Sequence, residues 1–309
     1  MTKDKQAQRQ RRDDRARAAM TARPRRGGSS RSPMAMALVA VGLVVVVVVA
    51  FVAVRLITGG KSQNSKGGVV DAVPAAILAD VTGIPASTFD QVGTGGKLQV
   101  NYPAKLNGRP VQLNGKPYVM YLGADYCPYC AAERWSLVVA LSRFGTFHNL
   151  RTTFSGSQDV FPNTPTFSFH GSSYSSPYIT FQGVETYTNT LVNGSYTPLD
   201  QPTALQARLF ETYDRPPYFP KQGAIPFVDF ANVYGVSGAG YLPDMMQSQT
   251  MASIAASLKD PSTQTSQAVL GVSNSLSAAV CSIDGGKPAS VCQSSGVQAA
   301  VAATRRANG

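Results

Sequence analysis

Two cysteines separated by a proline and a tyrosine, Cys127-Pro128-Tyr129-Cys130, are the residues of this chain best suited to chemistry. Two intervening residues let one sulfur reach the other. One thiol can then attack a partner and the second can resolve the mixed disulfide. The flanking sequence predicts where the pair sits. Residues 117–123 form a β-prone run read as a buried strand, and residues 128–144 read as a helix with proline in its first turn and Gly145 as its stop. A cysteine at that junction meets free backbone N–H groups and the positive end of the helix dipole, and both favour a thiolate. Its pKa can fall from about 8.5 to about 3.5–7.5. Cys127 is therefore the expected exposed nucleophile and Cys130 the more buried resolving thiol.

Zinc ligation and a static crosslink are the competing uses of such a pair. Zinc wants a second close Cys or His pair. Here Cys281 and Cys292 have ten residues between them, and the only histidines are His148 and His170. A crosslink between residues three apart closes a very small loop and adds little stability. No metal and no other cofactor is expected. Cys281 and Cys292 flank an Asp284-Gly285-Gly286 turn and Pro288. They read as a structural disulfide pinning a loop between two helices, with a second redox relay as the alternative.

Other side chains have two readings each. Asp125 and Glu133 could modulate the thiol pKa or relay protons. Alternatively Asp125 caps the helix and Glu133 is solvated or ion-paired. Tyr129 is either a substrate contact or an exposed aromatic. Trp135 belongs to the core, and the two histidines are structural or surface residues. Asn193-Gly194-Ser195 is a glycosylation sequon without consequence in most bacteria.

Several elements must position the CxxC pair. Glu133, Ser136, Ala140 and Arg143 form a less apolar stripe on its helix. Residues 71–93 predict one or two short helices, 150–154 a strand, and the alternating Phe167/Phe169 and Ile179/Phe181 two more. Residues 203–213 predict a helix and 226–230 a strand. Residues 245–258, 263–279 and 297–306 predict Ala-rich helices. The order is that of an α/β domain, spanning 69–309.

The N-terminal segment is different. The chain has 309 residues and a formal net charge of +11, of which residues 1–33 carry +8, residues 34–67 carry +3, and the remainder is neutral. A basic domain binding nucleic acid would carry its own patch, so no nucleic-acid partner is expected. Residues 1–33 are polar and Arg-rich and read as a disordered cytoplasmic tail. Residues 34–54 contain no charge and would make a helix about 31 Å long, matching a bilayer core of about 30 Å. Such a run exceeds the apolar stretch of a cleaved signal. It is read as a transmembrane anchor in contact with membrane lipid. Arginines crowd its N-terminal side, which places the N-terminus in the cytoplasm and the domain outside. Residues 55–68 are the flexible linker.

The strand, the CPYC motif, the helix after it and the later Ala224-Ile225-Pro226-Phe227-Val228-Asp229-Phe230 segment together resemble the thioredoxin-like superfamily. More narrowly, residues 123–135, the Arg143-Phe144-Gly145 that follows, and the 281–292 segment resemble an actinobacterial and archaeal membrane-anchored family, domain of unknown function 929. The resemblance implies a thioredoxin-like fold with a cis-proline at Pro226 beside the cysteines. It also implies a substrate groove lined by Ile225, Pro226, Pro128 and Tyr129. Tyr126 precedes the first cysteine where thioredoxin has Trp. The roughly 95 residues between Cys130 and Pro226 and the helical C-terminus imply insertions and an extension. The expected function is a membrane-anchored thiol–disulfide oxidoreductase acting on protein thiols and disulfides, with a membrane redox partner open. The alternative is a non-enzymatic cell-surface binding module on the same scaffold.

Overall fold

The computed structural model describes residues 71–309; the tail, span and linker expected before them lie outside the described residues. A short strand β1 (Asp71–Ala72) leads into helices α1 (Ala75–Thr82) and α2 (Ala86–Val92). Pro74 and Pro85 precede these helices, and Gly83 and Gly93 end them, as proline's fixed φ and glycine's freedom dictate. Then come β2 (Ala104–Lys105), β3 (Gln112–Leu113), β4 (Lys116–Gly123) and the CPYC helix α3 (Pro128–Leu141). An excursion of four short strands follows: β5 (Thr146–His148), β6 (Arg151–Phe154), β7 (Pro165–Ser168) and β8 (Ser173–Ser175). The chain returns through β9 (Thr180–Glu185), the hairpin β10 (Tyr187–Val192) and β11 (Ser195–Pro198), helix α4 (Ala204–Tyr213), and strands β12 (Phe227–Phe230) and β13 (Tyr234–Ser237). Helices α5 (Met251–Ser257), α6 (Gln264–Ile283), α7 (Ala289–Cys292) and α8 (Ser295–Ala307) complete it. No helix among the described residues is long and apolar enough to cross a membrane.

Strand β4 is the centre of this α/β fold. It pairs in parallel with β9 and antiparallel with β12, which pairs antiparallel with β13. Its side chains alternate between two apolar layers. Val119 and Tyr121 face the layer that holds α3 and α6, while Tyr118 and Met120 face Leu209 and Tyr213 of α4. A strand buried on both faces reads as a continuous apolar run rather than an alternation, which is what residues 117–123 show.

Helix α3 is buried throughout from Cys130 onward, including Glu133, Arg134 and Ser136. The expected less apolar stripe is therefore not a solvent face. Helix α6 covers it. Ser136 Oγ donates to Val269 O (3.1 Å), Ser273 Oγ donates to Ser136 O (3.0 Å), and Arg143 donates to Asn274 and Ser277. Opposite, the small sheet β1-β6-β7 packs on the same helix: Trp135 Nε1 donates to Pro165 O, and Thr166 Oγ1 to Ala131 O.

Several elements differ from expectation. Helix α3 ends at Leu141, three residues early, because residues 142–145 fold into a turn. The helix expected over 245–258 is broken: Pro243–Met246 is a 3-10 turn, Ser248 takes a left-handed φ of 62°, and Thr250 caps a new helix by accepting Ser253 N–H. Residues 187–198 form a hairpin not expected, although the Asn193-Gly194 pair at its tip, with φ of 51° and 82°, is a strong hairpin signal.

Candidate active site

The strand-to-helix junction after β4 places Cys127 at the N-cap of α3 and Pro128 at its first position. The Cys127 Sγ accepts the Cys130 backbone N–H at 3.2 Å, so the sulfur takes the place of a capping oxygen. Asp125, the alternative cap, points elsewhere. From across the sheet, the segment before β12 brings Ile225 to the same sulfur. The Cys127 thiol donates to Ile225 O at 3.8 Å, and the Ile225–Pro226 peptide is cis. Pro226 is buried and Ile225 half-buried. Both cysteines are free thiols. Cys130 is fully buried, and Cys127 exposes 5% of its surface, far less than expected of an exposed nucleophile.

The two thiols are driven apart electrostatically. The hydrogen bond with the Cys130 side chain is the strongest influence lowering the Cys127 pKa. Burial opposes it, and the Cys130 N–H, Arg134 and the Tyr129 N–H add to the lowering. Burial pushes Cys130 well up, and the adjacent Cys127 pushes it further. Cys127 is thus the sulfur that ionises first and can attack, while Cys130 stays protonated until its neighbour is consumed.

Beneath the pair lies a charged cluster. Arg134 is completely buried, with Nη1 2.8 Å from Glu185 Oε2 on β9 and 3.5 Å from Asp125 Oδ1. Glu185 continues outward: Asp200 Oδ2 accepts its backbone N–H (3.1 Å), and Asp200 Oδ1 meets His170 Nδ1 (2.6 Å) at the surface. Asp125 therefore reaches the thiols through Arg134 and is neither a cap nor a lone modulator. Glu133 bonds to the segment after β13 instead. One oxygen accepts Gly240 N–H at 2.9 Å, the other has no hydrogen-bond partner, and burial pushes its pKa up to about 7. It is neither solvated nor ion-paired.

The rim is aromatic. Tyr129, 37% exposed, meets Phe161 edge-on at 5.9 Å. Tyr126 stacks flat on Tyr196 of the hairpin at 4.1 Å. His148 bonds Ser175 at the surface. Cys281 and Cys292 form a disulfide with Cα atoms 5.6 Å apart, joining the end of α6 to α7. Among the described residues no three His, Cys, Asp or Glu side chains are grouped to hold a metal ion. Arg134, Glu185, Tyr121 and the hairpin tyrosines were not singled out from sequence. Only the position of Arg134, four residues after Cys130 and so on the same helix face, could have flagged one of them.

An α/β fold with a CxxC pair capping a buried helix is thus the class of this protein. Residues 102–282 match the model of the family described as a domain of unknown function (DUF929), and the chain belongs to that family. The matched region contains Cys127, Cys130 and Pro226. No curated protein and no solved structure matches this chain.

Proposed function

We propose that this protein is a thiol–disulfide oxidoreductase with a thioredoxin-like fold, acting on protein thiols and disulfides. The carrying observation is the Cys127 sulfur, held at a helix N-cap by the Cys130 N–H and facing the Ile225 carbonyl before Pro226. The run β4, α3, β9, α4, β12, β13, with β9 and β12 flanking β4, supports the fold reading. The excursion over β5–β8 and the β10–β11 hairpin account for the long spacing between Cys130 and Pro226.

In the reductive direction the Cys127 thiolate attacks one sulfur of a protein disulfide. That S–S bond breaks, and the departing sulfur takes up a proton. Cys130 loses its proton and attacks the Cys127 sulfur, releasing the second substrate thiol. Two electrons and two protons pass from the dithiol to the substrate, and the reverse reaction oxidises a protein dithiol. Pro128, Tyr129, Ile225 and Pro226 shape the groove, where the Ile225 backbone can pair with an extended substrate. We place the domain outside the cell, anchored by residues 34–54, with a membrane redox partner to reset the pair. The Cys281–Cys292 disulfide suits an oxidising compartment.

A Cys130→Ala variant should accumulate mixed disulfides through Cys127 in membranes. A folded variant that traps nothing would count against the reading. The near burial of Cys127 favours a second reading, an inert scaffold of a binding module. Slow, pH-insensitive alkylation of Cys127 would select it. Protease added to intact cells should degrade the domain but spare the N-terminal tail.

A further inference from the structure

We propose that Arg134 sets the redox poise of the Cys127/Cys130 pair, holding a permanent cation beneath the sulfurs that stabilises the thiolate over the disulfide. This rests on the oxidoreductase reading and deepens it. Arg134 lies one helical turn after Cys130, on the same face of α3. Its Nη1 donates to Ala124 O (3.4 Å), the same carbonyl that accepts the Cys127 N–H (3.2 Å). Its Nε and Nη2 have no hydrogen-bond partner among the described residues, although the side chain is completely buried. A buried guanidinium ordinarily uses its whole fork. Here three of its five N–H donors are left over, in a cluster whose other unpartnered buried group is the Tyr121 hydroxyl. That hydroxyl and the Cys130 Sγ close on the same point: a Cβ at Gly123 would lie 2.2 Å from the first and 3.0 Å from the second.

Every charged group around Arg134 fits the role. Cys130 comes from α3, Tyr121 and Asp125 from β4 and its end, and Glu185 from β9, with Asp200 and His170 behind Glu185. One cation faces two carboxyls. Burial raises both carboxyl pKa values, Glu185 to about 8. Below that pH Glu185 holds a proton and offsets the cation less. Above it the Glu185 charge offsets the cation more. The guanidinium cannot deprotonate, so it acts on the sulfurs at every pH, while Glu185 attenuates it only in the alkaline range. Because the disulfide carries no charge, a cation near the sulfurs stabilises the reduced, thiolate form and makes the disulfide more oxidising.

The test uses the full chain with glutathione as the redox probe and iodoacetamide as the thiol probe. In Arg134→Met the Cys127 alkylation profile should move to higher pH, and the equilibrium with glutathione should shift tenfold or more toward the protein disulfide, about 30 mV for this two-electron couple. Arg134→Lys, which keeps the charge, should recover most of both shifts. Glu185→Gln, compared at pH 9, should shift the equilibrium the other way, toward the dithiol. A folded Arg134→Met with the wild-type profile and equilibrium overturns the inference. Where that variant does not fold, a wild-type equilibrium in Glu185→Gln at pH 9 overturns it instead. A wild-type chain that never exchanges with glutathione sinks the oxidoreductase reading, and the inference with it.

Discussion

At the scale of single residues, the site divides its two sulfurs by hydrogen bonding and burial. The Cys130 side chain is the main influence lowering the Cys127 pKa. Cys130→Ala should therefore raise the pH at which Cys127 ionises, read as thiolate absorbance near 240 nm; an unchanged titration would show that backbone N–H groups and Arg134 suffice. Glu133 makes a prediction of a different kind. Burial holds its folded pKa at about 7 against an ordinary 4.5. Between those values the unfolded chain has released a proton that the folded chain keeps. Stability therefore falls as pH rises through that window and levels off above it, by on the order of 3 kcal/mol at 1.36 kcal/mol per unit. Glu133→Gln keeps an acceptor for Gly240 N–H and removes the titration. Its urea midpoint should vary less between pH 5 and pH 8 than that of wild type. The cysteines were legible in sequence because their chemistry is a matter of local spacing. The states of Glu133 and Arg134 were not, because they depend on partners such as Gly240 and Glu185, 107 and 51 residues away.

At the scale of elements, the CPYC helix is held like a core strand, covered by the central sheet, the small sheet and α6. The seam between α6 and the loop before β2 is especially tight. A Cβ at Gly271 would lie 2.6 Å from the Thr94 carbonyl and 2.7 Å from Gly95 N. Those neighbours are backbone and cannot step aside as a side-chain tip could. Gly271→Ala should destabilise by about 1–3 kcal/mol, seen as a lower Tm, although alanine is the better helix former. The Cys127 alkylation profile should stay as in wild type, since the atoms a new Cβ would meet belong to Thr94 and Gly95 and not to the site. Helix positions were readable where proline and glycine mark their ends, as at α1 and α2. The break between Met246 and Met251 was not, because apolar residues on both sides of it suit one helix, whereas Ser248 turns the chain and Thr250 restarts the helix.

At the scale of the whole molecule, the helices after β13 form a cover that the sheet needs. Helices α6 and α8 share the large apolar layer with β4 and α3 through residues such as Val269, Leu276, Val297 and Ala300. The Cys281–Cys292 disulfide pins the connection inside that cover. Replacing both cysteines by alanine should cost about 2–3 kcal/mol, as expected for a loop of this length, read as a lower denaturant midpoint. The pair lies outside the site, so glutathione exchange at Cys127 should not change. A change there would mean that the second pair relays electrons to the first.

The sequence by itself determined the CxxC junction, the buried central strand, the helices bounded by proline and glycine, and a domain of zero net charge beyond a basic N-terminal segment. Spacing, local conformational preference and charge counting are all properties of neighbours in the chain. Only the tertiary structure decided that the polar stripe of the CPYC helix lies under α6 rather than in water, and that a fully buried arginine sits below the thiols between two carboxyls. Each of these depends on segments far apart in sequence. A helix face carries the same periodic pattern whether water or another helix covers it, so the pattern alone could not tell the two apart.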